Sequence, residues 1–257
     1  MKLSIISTMY YSAPYVEEFC TRIAAQAKVI AGDDYEIVLV NDGSPDDSLN
    51  LALGAQKKNS RIRVVDLSRN FGHHPAIMTG LRQACGAYVF LIDIDLEEPP
   101  ELLGEFWQTL HSEEDVDSVG GIQAMRLGSR QERYVGDIAW RLMRKLSPTD
   151  MPINTLIARL MTRRFVDALA SHDEKLVFMS ALWAGAGFKQ RYIPVQKTDT
   201  GETTYTFRRK LNHMLNGITA SSTKPLLWSI TISFILAAIT ALVGLYALVI
   251  GLLGVSV

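Results

Sequence analysis

Apolar and polar residues alternate in blocks along the first hundred positions. Short apolar runs at Leu3–Thr8, Glu36–Val40, Arg61–Leu67 and Tyr88–Ile92 have the length of buried strands. The windows between them, at about Pro14–Ala31, Pro45–Lys58 and Pro75–Ala84, have helical spacing. Strands alternating with helices predict an α/β fold with a mostly parallel, Rossmann-like sheet and flanking helices. A further strand is expected at Ser118–Ile122. Ligands of such sheets bind beyond the carboxyl ends of the strands, so the residues just past each run carry the candidate chemistry.

The pattern changes near the carboxyl terminus. Leu226–Val257 contains no charged residue in 32 positions, more than the roughly 20 that a membrane-spanning helix needs. One tilted helix, or one helix and the start of another, fits that length. The stretch Lys189–Lys224 carries seven cations (Lys189, Arg191, Lys197, Arg208, Arg209, Lys210, Lys224) against Asp199 and Glu202. Such an excess beside a span predicts the cytoplasmic side, which turns the N-terminal domain toward the cytoplasm. Within it, Thr206–Ser221 places Phe207, Leu211, Met214, Leu215 and Ile218 at helical spacing behind a basic first half, as a helix lying in the headgroup layer does. The expected division is a cytoplasmic domain over residues 1–200, an amphipathic juxtamembrane helix over 201–224 and a transmembrane segment over 225–257. Met1–Thr8 is too short for the core of a signal peptide, so no cleavable signal is expected.

Composition narrows the function classes. A chain of 257 residues with 48% hydrophobic and 21% charged content supports one large domain with a substantial core. A net charge of −1, with no interleaving of basic and aromatic residues, argues against nucleic-acid binding. Cys20 and Cys85 show no zinc spacing and are expected in the core, and His73-His74 reads as a loop or helix cap.

The strongest chemical signal is YVFLIDIDLEEPPE, Tyr88–Glu101, where an apolar strand runs into two aspartates one residue apart. Alternation along the chain points Asp93 and Asp95 to one side, and Glu97 follows at the same spacing. Three carboxylates there suit a Mg²⁺ or Mn²⁺ ion carrying a diphosphate. An isolated pair of this kind also serves as a helix cap. Against that simpler role, YEIVLVNDGS ends a second strand on Asp42 and a Gly-Ser turn. The chain has neither G-x-x-x-x-G-K-[ST] nor G-x-G-x-x-G after its first strand, which weighs against a P-loop NTPase or a dinucleotide-dependent dehydrogenase.

Seven segments, STMYY, VNDGSPDDS, LSRNFGHHPAIMTGL, DIDLEEPPELL, ARLMTRR, GFKQRYIPV and TYTFRRKLNHMLNGI, occur in the order of the family 2 inverting glycosyltransferases. The chain most resembles their membrane-attached branch, which includes dolichyl-phosphate mannose synthase and the bacterial polyprenyl-phosphate glycosyltransferases. The resemblance implies a GT-A fold, a nucleoside-diphosphate sugar donor (a UDP-sugar first of all) and a polyprenyl phosphate acceptor in the membrane. It implies nucleotide contacts from Thr8, Tyr10, Asn41, Asp42, Asn70 and Asp93, with Asn41 standing where the family carries an acid. It implies metal binding by Asp93, Asp95 and Glu97, Glu97 replacing a glutamine. Asp95, Arg126, Arg130, Arg133 and Arg159 are its catalytic residues, the arginines facing donor and acceptor phosphates.

One departure bears on the acceptor. Relatives with G-D-F-R-L have an aspartate where this chain has Ile157. A phosphate acceptor is already a nucleophile and tolerates the loss, whereas a sugar hydroxyl needs a substitute base such as Asp137 or Asp150. Two other readings stand beside polyprenyl-phosphate transfer. One is transfer to a sugar hydroxyl of a lipid-linked saccharide in surface polysaccharide assembly; the other is a non-catalytic nucleotide-sugar binding subunit. A homo-oligomer paired through the membrane helix is a further possible state.

Overall fold

The computed structural model describes residues 1–123, 154–172, 179–197 and 224–253. Seven strands form one sheet in the order β3-β2-β1-β4-β6-β5-β7. They are β1 (Leu3–Met9), β2 (Tyr35–Asn41), β3 (Ile62–Asp66), β4 (Tyr88–Leu91), β5 (Ser118–Gln123), β6 (Thr155–Thr162) and β7 (Gln190–Val195). Pairings β1/β2, β1/β4, β2/β3 and β5/β7 are parallel, while β6 runs antiparallel between β4 and β5. The helices are α1 (Val16–Ala31), α2 (Ser48–Lys58), α3 (His73–Gln83), α4 (Leu102–Ser112), α5 (Arg163–Ala170), α6 (Met179–Gly185) and α7 (Lys224–Leu252).

The central strands are apolar on both faces because helices cover both. Every residue of β1 and β2 is buried, as a parallel sheet enclosed by crossover helices requires. On one face α1 and α4 pack Phe19, Ile23, Leu103 and Phe106 against Ile5, Ile37 and Phe90. On the other, α3, α5 and α6 pack Ile77, Leu81, Phe165 and Trp183 against Ile6, Val38 and Val89. The α1 side presents Val16, Phe19, Cys20, Ile23 and Ala27, a stripe at helical spacing. Each large member of it contributes about 1.5–3 kcal/mol by burial.

Helix starts differ from the sequence reading by two or three residues for identifiable reasons. Asp46 delays α2: it accepts hydrogen bonds from Ala13 N (3.0 Å), Ser44 Oγ (2.5 Å), Ser48 N (3.2 Å) and Ser48 Oγ (2.5 Å), so residues 45–47 form a tied turn. Helix α3 begins before Pro75, which sits in the first turn, where a missing N–H leaves no helical bond unmade. Cys85, expected in the core, is exposed: it belongs to the bend between α3 and β4, not to the helix.

Asp46 supports a pH prediction. Burial would raise its pKa, but the four hydrogen bonds outweigh that and bring it to about 2. The charged form is therefore the one the fold favours, and its contribution of roughly 2 kcal/mol is complete above about pH 4 and lost as pH falls to about 2. Asp46→Asn should lower the melting temperature at pH 7 and flatten its fall between pH 4 and 2. Parallel melting curves for the two proteins over that range would show no such role.

Helix α7 differs in kind from the rest. Leu226–Ile250 has a mean hydropathy of 2.4 over 25 residues and none of that window is buried by protein. Its length, roughly 37 Å at 1.5 Å per residue, exceeds the roughly 30 Å hydrocarbon core of a bilayer. The expected amphipathic helix at Thr206–Ser221 lies outside the described residues.

Candidate active site

Four strand ends build one crevice. Strand β1 leads into Thr8–Ser12, β2 into Asp42–Ser44, β3 into the Arg69–Gly72 loop, and β4 into Asp93–Glu98. Asp42, which is 2% exposed, joins the second and third of these: its carboxylate accepts Phe71 N at 2.7 Å and Gly72 N at 3.0 Å. Ser44 Oγ accepts Tyr11 N at 2.7 Å, tying the first loop to the second. Gly43 makes the close approach possible. Its φ is +61°, and a Cβ there would stand 2.5 Å from both Arg69 C and Asn70 N.

The acid loop follows the same alternation as the strand before it. Asp93, Asp95 and Glu97 are partly exposed, while Ile94, Leu96 and Glu98 turn inward. Leu96 bends the chain at φ 61°, and Glu97 N donates to Asp95 Oδ1 at 3.0 Å. Burial and the neighbouring charge of Asp95 push the Asp93 carboxyl up to about 7, and burial with the charge of Glu97 raises that of Asp95. Glu98 is 1% exposed, accepts Ala158 N at 2.8 Å, and is also raised by burial and by Asp93. The loop therefore holds more negative charge than its surroundings satisfy.

Two cationic or titratable side chains meet that loop: His73, expected as a loop or helix cap, and Lys197, expected as one of a basic stretch. His73, at the start of α3, has Nδ1 3.0 Å from Thr8 Oγ1 and Nε2 3.4 Å from Asp93 Oδ1. Its pKa is lowered by the surrounding protein, against the pull of Asp42 and Asp95. Lys197, just past β7, donates from Nζ to Glu97 Oε2 at 2.7 Å and lies 4.0 Å from Glu98 Oε1. Burial depresses the ammonium, but the hydrogen bond to Glu97 and the charges of Glu98, Glu97 and Asp93 outweigh it and raise its pKa.

The structure places the other expected residues as follows. Thr8 and Asp42 lie in the crevice wall, Tyr10 is 45% exposed at the rim, and Asn70 sits in the exposed loop against Gly43. Asn41 is buried: its Nδ2 donates to Asp66 Oδ1 at 2.7 Å and its Oδ1 accepts Ser44 N at 3.3 Å, so it braces the turn. Among the described residues no three His, Cys, Asp or Glu side chains are gathered to hold an ion. Glu97, expected beside Asp93 and Asp95 as a metal ligand, is engaged here by Lys197.

Arg159 is enclosed by protein. Expected to face phosphate, it is 0% exposed, sharing a face of β6 with Met161. Its Nη1 donates to Ser118 Oγ and Gln190 Oε1, each at 2.8 Å, and the guanidinium stacks 4.2 Å from the Trp183 ring centre. Gly120 leaves the room, since a Cβ there would stand 2.6 Å from Nη2. The side chain fastens β5, β6, β7 and α6, and its Nε and Nη2 are buried without a hydrogen-bond partner. Arg126, Arg130, Arg133, Asp137 and Asp150 lie outside the described residues.

The family profile described as Glycosyl transferase family 2 matches residues 4–170, which include the four loops of the crevice. The chain belongs to glycosyl transferase family 2. This family 2 chain is 44% identical over 228 residues (89% of it, 66% of the relative) to a protein of Mycobacterium tuberculosis (strain CDC 1551 / Oshkosh) named among the glycosyltransferases. It is 29% identical over 254 residues, 98% of the chain and 76% of the relative, to an undecaprenyl-phosphate 4-deoxy-4-formamido-L-arabinose transferase of Shewanella sediminis (strain HAW-EB3). The chain spans 66% and 60% of the lengths of two curated relatives, the mycobacterial protein and Bacillus subtilis (strain 168) YkcC, so it matches part of each. Among solved structures, it resembles the Mn²⁺, UDP and product complex of glucosyl-3-phosphoglycerate synthase from Mycobacterium tuberculosis, with a TM-score of 0.61 at 18% identity, over 86% of this chain and 80% of that one. The mannosyltransferase PcManGT of Pyrobaculum calidifontis, in complex with GDP-Man and Mn²⁺, gives a TM-score of 0.60 at 18% identity, over 84% and 62%. These likenesses establish the GT-A-like fold for the family 2 domain.

Proposed function

We propose that the chain transfers a sugar from a nucleoside-diphosphate sugar, a UDP-sugar in the first instance, to a polyprenyl phosphate at the cytoplasmic face of a membrane. The observation that carries this reading is the Asp93/Asp95 pair, held partly open at the carboxyl edge of the sheet with carboxyl pKa values raised by burial and by neighbouring carboxylates. Two carboxylates are the usual protein share of a Mg²⁺ or Mn²⁺ site whose other ligands are phosphate oxygens and water. The donor set fits that role, because a cation relieves the unsatisfied charge. A divalent ion held by Asp93 and Asp95 would neutralise the charge of the leaving diphosphate.

The chain's own residues supply position and exclusion. The loops after β1, β2 and β3, locked by Asp42 and Ser44, form the nucleotide side of the crevice, with Thr8, Tyr10 and Asn70 on its wall and rim. In the proposed step an acceptor phosphate oxygen forms a bond to the anomeric carbon as the bond to the diphosphate breaks, inverting that carbon and releasing the nucleoside diphosphate. Most of the rate would come from alignment and from stabilising the leaving group. No proton need be removed from a phosphate nucleophile, which agrees with Ile157, a partly buried apolar residue, where relatives carry an aspartate. Arg126, Arg130 and Arg133 are proposed to face the acceptor phosphate, and α7 to anchor the domain beside it.

The test is transfer by the detergent-solubilised chain from a panel of labelled nucleotide sugars to undecaprenyl phosphate, with Mg²⁺ or Mn²⁺ and with a chelator. Label in a one-sugar polyprenyl phosphate, lost on chelation and restored by Mn²⁺, is the expected result. Label reaching only the sugar of a lipid-linked saccharide would replace the acceptor, and transfer undiminished by chelation would remove the metal.

A further inference from the structure

Lys197 is the cation that the described structure places directly on the acid loop. It does not come from that loop or from the nucleotide side but from the end of β7, a strand at the far edge of the sheet from β3. Its Nζ is 2.7 Å from Glu97 Oε2 and 4.0 Å from Glu98 Oε1, and its side chain is 23% exposed. At that burial the pair is screened less than a surface bridge and the contact fixes the Glu97 carboxylate in direction as well as in charge. Glu97 stands at the same alternating position as Asp93 and Asp95, so without a partner it would face the crevice beside them.

Resting on the metal reading above, we propose that Lys197 is a positioning residue that holds Glu97 out of the metal's ligand set and lowers the affinity of Asp93 and Asp95 for a divalent ion. The physical reasons are two. A fixed ammonium adds positive charge where a cation must enter, and it occupies the carboxylate that would otherwise supply a third ligand. A loop with three free carboxylates would bind the ion tightly before any diphosphate arrives, would repel the diphosphate oxygens more strongly and would leave fewer coordination positions for them. With Glu97 engaged, the ion depends on the donor for its remaining ligands, which couples ion and donor binding.

The signs can be separated with two variants of the full chain. Lys197→Met removes the ammonium and frees Glu97, and Mn²⁺ binding measured on the protein alone, by loss of the free-ion electron spin resonance signal, should tighten at least about fivefold. Lys197→Met/Glu97→Gln removes the pair with no change of net charge and should bind Mn²⁺ within about twofold of the unaltered chain, because Asp93 and Asp95 are untouched. The coupling should fall as well: adding UDP should strengthen Mn²⁺ binding less in Lys197→Met than in the unaltered chain.

Unchanged or weaker Mn²⁺ binding by Lys197→Met overturns the inference, as does a double variant that binds several-fold more weakly than the unaltered chain, since Glu97 would then already be a ligand. Lys197→Arg, which keeps the charge and the reach, should resemble the unaltered chain. If Lys197→Met fails to fold, the double variant, which keeps the net charge and leaves no carboxylate at position 97, carries the test. An unaltered chain that binds no Mn²⁺ with or without UDP overturns the metal reading itself and this inference with it, whereas normal binding insensitive to Lys197→Met overturns this inference alone.

Discussion

Asp95→Asn is expected to lower sugar transfer by at least about 10³-fold while leaving the protein folded. The substitution keeps the shape of the side chain and, through its amide oxygen, the acceptor for Glu97 N. It removes the charge. A carboxylate whose folded pKa is raised is one whose ionised form the fold disfavours, so at pH 7 the charge of Asp95 costs stability and its removal restores some. The melting temperature should therefore stay level or rise as activity disappears, the combination expected where a group is retained for chemistry and not for the fold. Transfer above a tenth of the unaltered rate would end the metal assignment, and a melting temperature several degrees lower would mark a structural lesion.

Gly43→Ala should do the reverse, damaging the site through the fold. The residue lies at φ +61°, where a Cβ costs about 1–2 kcal/mol, and that Cβ would stand 2.5 Å from two backbone atoms of the Arg69–Asn70 loop. Backbone cannot rotate away as a side-chain end can, so the loop must move. Movement breaks the paired hydrogen bonds of Asp42 to Phe71 N and Gly72 N and leaves a buried carboxylate uncompensated. A total loss of about 3–5 kcal/mol is expected, with nucleotide affinity falling at least tenfold, measured by chemical denaturation and by UDP binding. Stability within about 1 kcal/mol of the unaltered chain would show that the loops are not held together at this point.

These two residues were legible in the sequence to different degrees. The strand ending on Asp93 and Asp95 and the Asp42-Gly43-Ser44 turn could be read from local pattern, because apolar length, alternation and turn chemistry are properties of neighbouring residues. The order of strands could not. Strand β6 enters antiparallel between β4 and β5, and no periodicity records which strand will lie beside which. The same limit hid Lys197, which lies 100 residues from Glu97 in the chain and looked like one member of a basic run. It also hid the contacts of His73, at the start of α3, with Thr8 of β1 and Asp93 of the acid loop, three elements far apart in the chain. The burial of Arg159 was not legible either, because a motif records residue type and not the face of the sheet; it follows from the room at Gly120 and the ring of Trp183, both distant in sequence.

Lys197 and Lys224 are separated by residues 198–223, and however that stretch is arranged it spans no more than about 90 Å when fully extended. With Lys224–Leu252 seated in a bilayer, the acid loop would be leashed to the surface that would hold the proposed polyprenyl phosphate acceptor. Encounter with that proposed acceptor would then become a search in two dimensions, governed by the mole fraction of lipid in the membrane and by the length of the leash, not by any concentration in the surrounding water.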